Sequence, residues 1–342
     1  MRRAASREPR SFAIALLSLV VAAVVLASAP VLGYLKLGTR VGTRTANLRW
    51  NDFPIRYYVT ERGTTGVTAQ QFQTAITTSF GVWDAVDTVD LSAEFAGFTA
   101  ANPLSGDSMT VIGYQNRPDL DRVLAATNFI IDTQTGEVIE SDIFFNTVFP
   151  WSTDAAGVTG RHDVQSIAVH EIGHLLGLGH SALGETEVIP GGRRVLGAEA
   201  VMFPIAFAAG SIHDRTLKAD DRAGITDIYQ TNSARRSHGS ISGKVTKNGG
   251  GVLGAHVVAF STRTGALVGG LTLSEDGSYT IAGLEPGPYV IRVEPLDDAD
   301  INSFFDSDTN VDIDFKVQFH DGVVVVPRGG GVRDVNVKVT AK

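Results

Sequence analysis

The segment His170-Glu171-Ile172-Gly173-His174-Leu175-Leu176-Gly177-Leu178-Gly179-His180 constrains this chain more than any other, because it demands a helix that stops abruptly and turns back. On an α-helix, residues four apart lie on one face about one turn apart, so His170 and His174 can each offer a ring nitrogen to one metal ion at about 2.0–2.1 Å. Residue 180 of the same helix would be carried away along the axis. Gly177 provides the exit: a glycine can adopt the left-handed conformation that ends a helix and turns the chain, which lets His180 return as a third ligand. Glu171 directly follows the first ligand and so stands beside the metal rather than on it, placed to hold a metal-activated water and take its proton. Three imidazole donors, an open fourth position and a carboxylate beside the metal are the arrangement of a single catalytic zinc site. A bare H-E-x-x-H arises often by chance. The added glycine and third histidine make this pattern rare in a chain with 8 histidines among 342 residues.

At 342 residues and 43% hydrophobic, the chain can form two domains with a core each. Its net charge of -8 argues against a nucleic-acid partner, which selects basic faces. The chain has no cysteine, which excludes a thiolate ligand, a thiol nucleophile and latency through a propeptide cysteine. An exported eukaryotic domain of this size would be expected to carry disulfides, so the composition is closer to that of a bacterial export product.

Arg2, Arg3, Arg7 and Arg10 precede an almost wholly apolar run from Phe12 to Leu32. Ala27-Ser28-Ala29 is an A-x-A-like cleavage site, although Pro30 after it disfavours cutting. Two readings follow. Residues 1–33 are a signal peptide, or residues 12–32, about the 20 needed to span a bilayer, are an uncleaved membrane anchor. Either places the protein outside the cytoplasm, secreted or in the cell envelope.

Further along, Arg56 to Thr60 has strand character. Thr68 with Gln71 forms a capping-box pattern, and Phe72, Ile76, Phe80, Trp83 and Val86 then recur at helical steps. Strands are expected at Phe95 to Phe98, Ser108 to Tyr114, Thr127 to Ile131 and Val138 to Phe145. Asp163 is a good N-cap for the helix that carries His170 and His174, and His162 before it reads as a surface or capping residue. Ser181 to Glu199 shows no periodicity and reads as a loop. Met202 then sits in a tight turn, Ala200 to Pro204, and a last helix is expected over Asp214 to Tyr229 with Asp220 and Asp221 in its first half. Residues 231–239 read as a linker. From residue 240 to 342, alternating apolar residues between turns such as Glu275-Asp276-Gly277 argue for an all-β sandwich. The run Asp297, Asp298, Asp300, Asp306, Asp308, Asp312 and Asp314 reads first as a solvated loop and second as a calcium site.

These residues resemble the matrixin-like branch of the metzincin metalloproteases. The resemblance rests on V-H-E-I-G-H-L-L-G-L-G-H-S (169–181), A-V-M-F-P (200–204), L-K-A-D-D-R-A-G-I-T-D-I-Y (217–229) and the Trp83 helix, and it covers residues 34–230. It implies an α+β fold with a twisted sheet over the active-site helix, and a zinc endopeptidase acting on proteins or peptides. It also implies a floor of Met202 beneath the metal, with Asp220 and Asp221 bracing that turn and the mature N-terminus. By position, Val138 to Asn146 matches the sheet edge along which substrate would lie. No histidine falls in residues 100–160, so the second zinc of animal matrixins is not expected, and Phe203 stands where a tyrosine is common. The C-terminal segments G-K-V-T (243–246), G-A-H-V-V-A-F (254–260) and D-G-S-Y-T-I-A-G-L-E-P-G-P-Y-V-I-R-V (276–293) are similar to carboxypeptidase-regulatory-like β-sandwiches. The rival reading is a non-enzymatic cell-envelope or matrix-binding protein in which the zinc site only holds the fold.

Overall fold

A computed structural model describes residues 36–41, 44–190 and 192–342. The expected signal peptide or anchor lies outside these residues, and no described helix is long and apolar enough to cross a membrane. Strands β1 (Gly38–Val41) and β2 (Arg44–Asn47) form a hairpin. Then come β3 (Ile55–Thr60), α1 (Ala69–Asp84), β4 (Ala93–Thr99), β5 (Thr110–Gln115), β6 (Ala125–Ile131) and β7 (Val138–Asn146). The five strands after the hairpin make one sheet in the order β4-β3-β5-β7-β6, parallel except for the β6–β7 pair.

Local chemistry accounts for these elements. Thr68 and Gln71 satisfy each other's backbone N–H groups at the start of α1, whose buried stripe is Phe72, Ala75, Ile76, Ser79, Phe80 and Trp83. Strand β7 is buried along nearly its whole length, including Glu140, Ser141 and Asp142. Buried carboxylates require donors. Asp142 accepts from the N–H groups of Val111 and Leu104, and Glu140 from that of Ser108, so the two acids tie down the segment between β4 and β5.

The strand order corrects the edge assignment: β7 lies between β5 and β6, and the edge beside the metal helix is β6, Ala125–Ile131. Two short strands, β8 (Trp151–Ser152) and β9 (His162–Asp163), lead into α2 (Val164–Leu175). The Asp163 carboxylate caps the Ser166 N–H at 2.8 Å and takes two bonds from the Arg215 guanidinium. Helix α1 lies against α2, and the Trp83 indole donates to the Val169 carbonyl at 2.9 Å.

Residues 181–199 are not an unstructured loop. They carry an antiparallel hairpin of β10 (Gly184–Ile189) and β11 (Gly192–Ala198), bulged at Glu185/Thr186. A 3-10 turn at His213–Arg215 occupies the expected start of the last helix, so α3 spans Ala219–Tyr229. The expected linker contains a short helix, α4 (Asn232–Ser237), capped by Thr231.

Beyond it lie β12 (Gly239–Lys247), β13 (Gly250–Gly251), β14 (His256–Ser261), β15 (Leu267–Leu271), β16 (Ser278–Leu284) and β17 (Gly287–Glu294). After a 3-10 turn at Ile301–Ser303 follow β18 (Gln318–Phe319), β19 (Val324–Val326), β20 (Gly331–Val332) and β21 (Val337–Val339). They form two five-stranded sheets, one centred on β12 and one in the order β15-β14-β17-β18 with β19 also on β17. Ile241, Val245, Tyr279 and Ile281 of the first share a core with Val257, Ala259, Ile291 and Val293 of the second. That core continues into the one beneath α1 and α2, because α3 packs on β15 and β16. The approach is close: a Cβ on Gly283, at φ +67°, would lie 2.3 Å from the Ala223 carbonyl oxygen.

Candidate metal centre

Helix α2 presents His170 and His174, and Gly177 ends it. Gly177 has φ +96°, donates to the His174 carbonyl at 2.7 Å, and lies so close to the preceding chain that a Cβ would sit 2.3 Å from the Leu48 oxygen. The chain turns there and brings His180 back. One ligand atom from each of His170, His174 and His180 lies within 4.8 Å of the others, the one such metal-capable group among the described residues.

Each ring is oriented in the same way. Nδ1 of His170 is 2.8 Å from the Val201 carbonyl, that of His174 2.8 Å from the Leu178 carbonyl, and that of His180 2.8 Å from the Ser303 carbonyl. A carbonyl can only accept, so all three Nδ1 atoms carry the proton and all three Nε2 lone pairs are free to coordinate. Burial pushes all three imidazoles below their ordinary range, His170 to about 4, so near neutrality they are uncharged ligands. Three neutral imidazoles with fixed tautomers fit zinc.

Glu171 is 6% exposed, and burial pushes its carboxyl up to about 7. The Thr127 hydroxyl on β6 opposes this, donating to Oε2 at 2.7 Å while also lying 3.0 Å from the Glu171 carbonyl. No sequence pattern singled out Thr127. Its partnership with Glu171 depends on β6 being the strand beside α2.

Met202 lies under α2. A Cβ on Gly173 would meet its sulfur at 2.3 Å and the Trp83 ring at 2.8 Å, so the residue before His174 must lack a side chain for the methionine to pass. The turn around Met202 is held by Asp221, which accepts from the N–H groups of Val201 (2.9 Å), Met202 (3.1 Å) and Lys218 (2.8 Å). Burial raises Asp221 to about 6 against the pull of these three donors. Asp220 does something else. Its buried carboxylate accepts the Gly269 N–H of β15 at 2.7 Å and a Ser181 hydroxyl bond, and burial plus the neighbouring Asp221 charge raise it to about 7. It therefore binds the C-terminal sheet where the family resemblance places the mature N-terminus. Of the described N-terminal stretch, Leu37 donates its N–H to the Gly177 carbonyl at 2.8 Å beyond the end of α2, and Lys36 pairs with Asp227 on α3.

His162 stays apart from the metal group, its ring against Phe149 and Trp151. The acidic run makes no group of three that could grip a metal among the described residues. Asp298 instead holds the hairpin through Thr186, Asp297 and Asp300 meet Arg193, and Asp312 meets Lys247.

The matrixin family model matches residues 49–230, more than half of the chain, and the chain belongs to the matrixin family. It is 36% identical over 94 residues to metalloendoproteinase 5-MMP of Arabidopsis thaliana, covering 28% of this chain and 22% of that protein. It is 29% identical over 126 residues to metalloendoproteinase 2-MMP of the same plant, covering 35% and 31%. Metalloendoproteinase 1 of Glycine max is 40% identical over 79 residues, 22% and 19% of the two chains. The matched stretch thus spans less than a third of each of these relatives. Among solved structures, the Bacillus anthracis TIE protein matches 31% of this chain and 17% of its own at 14% identity and a TM-score of 0.22.

Proposed function

We propose that this protein is an exported zinc endopeptidase, with His170, His174 and His180 as metal ligands and Glu171 as general base. The observation that carries the reading is the set of three neutral imidazoles, each with Nδ1 spent on a carbonyl and Nε2 free, one residue away from a buried carboxylate. Zinc, when bound, supplies a Lewis acid that polarises the scissile carbonyl and acidifies water. Glu171 takes the proton from the attacking water and returns it to the leaving amine. Thr127 keeps that carboxylate oriented and favours its ionised form. Asp221 fixes the turn that carries both Met202 and the Val201 carbonyl, and through that carbonyl the His170 ring.

Substrate would bind as an extended strand along β6, the free edge beside Glu171, by the backbone pairing that β-augmentation uses. Proteins or peptides in extended form are the substrate class this implies. Export is inferred from the basic leader and the apolar run Phe12 to Leu32, with cleaved signal and retained anchor as its two forms. The region 240–342 is read as a carboxypeptidase-regulatory-like sandwich, with the support of its two sheets around a shared core.

Glu171→Ala is expected to keep zinc but lose cleavage by at least ~10², the share of a general base. His180→Ala is expected to weaken zinc binding. Near-normal hydrolysis by the first variant, or unchanged zinc content in the second, would overturn the assignment.

A further inference from the structure

The third histidine is held differently from the other two. His170 and His174 stand on α2, and the carbonyls that orient them, Val201 and Leu178, belong to residues 49–230 that match the family. His180 lies beyond the helix end, on a stretch with no secondary structure of its own. Its Nδ1–H donates to the carbonyl of Ser303, 123 residues further along and outside the matched segment.

We propose that the Ser303 carbonyl is the positioning group for the third ligand, so that the strand-rich region after residue 239 completes the metal centre. This rests on the reading of the three histidines as zinc ligands. A carbonyl at Nδ1 fixes the tautomer, aims Nε2 and raises its basicity, and loss of such a partner lowers metal affinity by about 10- to 100-fold. The effect is greatest where no helix backbone orients the ring.

The position of this carbonyl is set from both sides. Within the turn, the Ser303 N–H donates to Asp300 O at 2.8 Å, and the N–H groups of Phe304 and Phe305 both donate to Ile301 O at 2.9 Å. Downstream, Phe304 and Phe305 are 4% and 7% exposed, packed in one cluster with Ala182 and Phe203 from the metal-site side and Leu271 and Leu273 from the sheet side. The Phe304 ring also meets the His180 ring edge-on, with centroids 6.3 Å apart. Upstream, the Thr186 hydroxyl donates to Asp298 O at 2.6 Å and Arg193 to Asp297 O at 3.1 Å, clasping the β10–β11 hairpin. The clasp joins the segment that follows His180 to the one that ends at Ser303.

The test uses the full chain with three substitutions. Phe304→Ala removes the anchor of the turn next to His180. Leu273→Ala thins the same cluster, and Ser303→Ala removes only the hydroxyl and leaves the acceptor. Zinc affinity is measured by chelator competition, and ligand geometry by the visible absorption of the cobalt(II)-loaded protein. Phe304→Ala is expected to weaken zinc about tenfold or more and change the cobalt spectrum. Leu273→Ala is expected to lower Tm comparably while leaving zinc affinity and spectrum at wild-type values, and Ser303→Ala to change none of the three. Zinc affinity of Phe304→Ala within about twofold of wild type, or equal weakening in Leu273→Ala, would overturn the proposal. Failure of the wild type to bind zinc would be a different result, overturning the ligand assignment itself.

Discussion

Replacing Thr127 by valine isolates the one side chain that touches the proposed base. The exchange keeps the shape of the residue and substitutes a methyl group for the hydroxyl that lies 2.7 Å from Glu171 Oε2. A hydrogen bond to a charged acceptor contributes about 1.5–3 kcal/mol. At about 1.36 kcal/mol per pKa unit, its loss raises the Glu171 pKa by about 1–2 units. The sign follows from which form the bond favours. The hydroxyl stabilises the carboxylate against a burial that already pushes the group up to about 7, so removing it makes protonation easier. The base must be ionised to act, and the acidic limb of kcat/KM therefore moves to higher pH. A zinc ion in the histidine site lowers the Glu171 pKa in both proteins, which leaves the difference between them as the predicted quantity. The assay is kcat/KM against pH for wild type and Thr127→Val on one peptide substrate, with zinc content measured at each pH. Superimposed acidic limbs at equal zinc content would refute the role given to Thr127.

Three further outcomes are expected. Gly173→Ala must displace the Met202 sulfur and the Trp83 ring, an overpacking of about 1–3 kcal/mol, so Tm falls by several degrees and wild-type thermal stability would contradict the close contact. Asp221→Asn leaves at least one of three buried N–H groups facing an amide donor, a loss of about 1–3 kcal/mol that should appear in urea unfolding together with weaker zinc binding through the displaced Val201 carbonyl. Zinc affinity should fall between pH 7.5 and 5.5 by less than the about 10³ that three histidines titrating near 6.5 would lose, because burial lowers all three folded imidazoles; a loss of about 10³ would contradict their burial.

What is legible in the sequence is what short-range chemistry determines. The Thr68–Gln71 pair and the Asp163 cap are contacts three residues apart, and both helix starts fall where those residues place them. The three histidines come together because a helical repeat and one left-handed glycine suffice to converge them. The hairpin at 184–198 is hard to read from sequence: Pro190-Gly191 between its strands is a turn signal, but Gly-Glu-Thr-Glu-Val-Ile and Gly-Arg-Arg-Val-Leu-Gly-Ala lack the apolar alternation that marks flanking strands. The edge strand was misplaced because order within a sheet is a long-range property: β7 is internal only because β6 folds back on it. Asp220 was assigned by resemblance alone, and its partner, the Gly269 N–H, lies in a region the resemblance does not cover. The Ser303 carbonyl left no trace, because a backbone acceptor has no residue type to recognise.

The most direct test of the central claim is cleavage of unfolded casein by the purified protein, with chelator, after zinc is restored, and beside Glu171→Ala. Cleavage that stops with chelator, returns with zinc and is lost in the variant despite stoichiometric metal is the expected result. Bound zinc with no cleavage under any of these conditions would contradict the hydrolytic reading and leave the three histidines as a structural clasp.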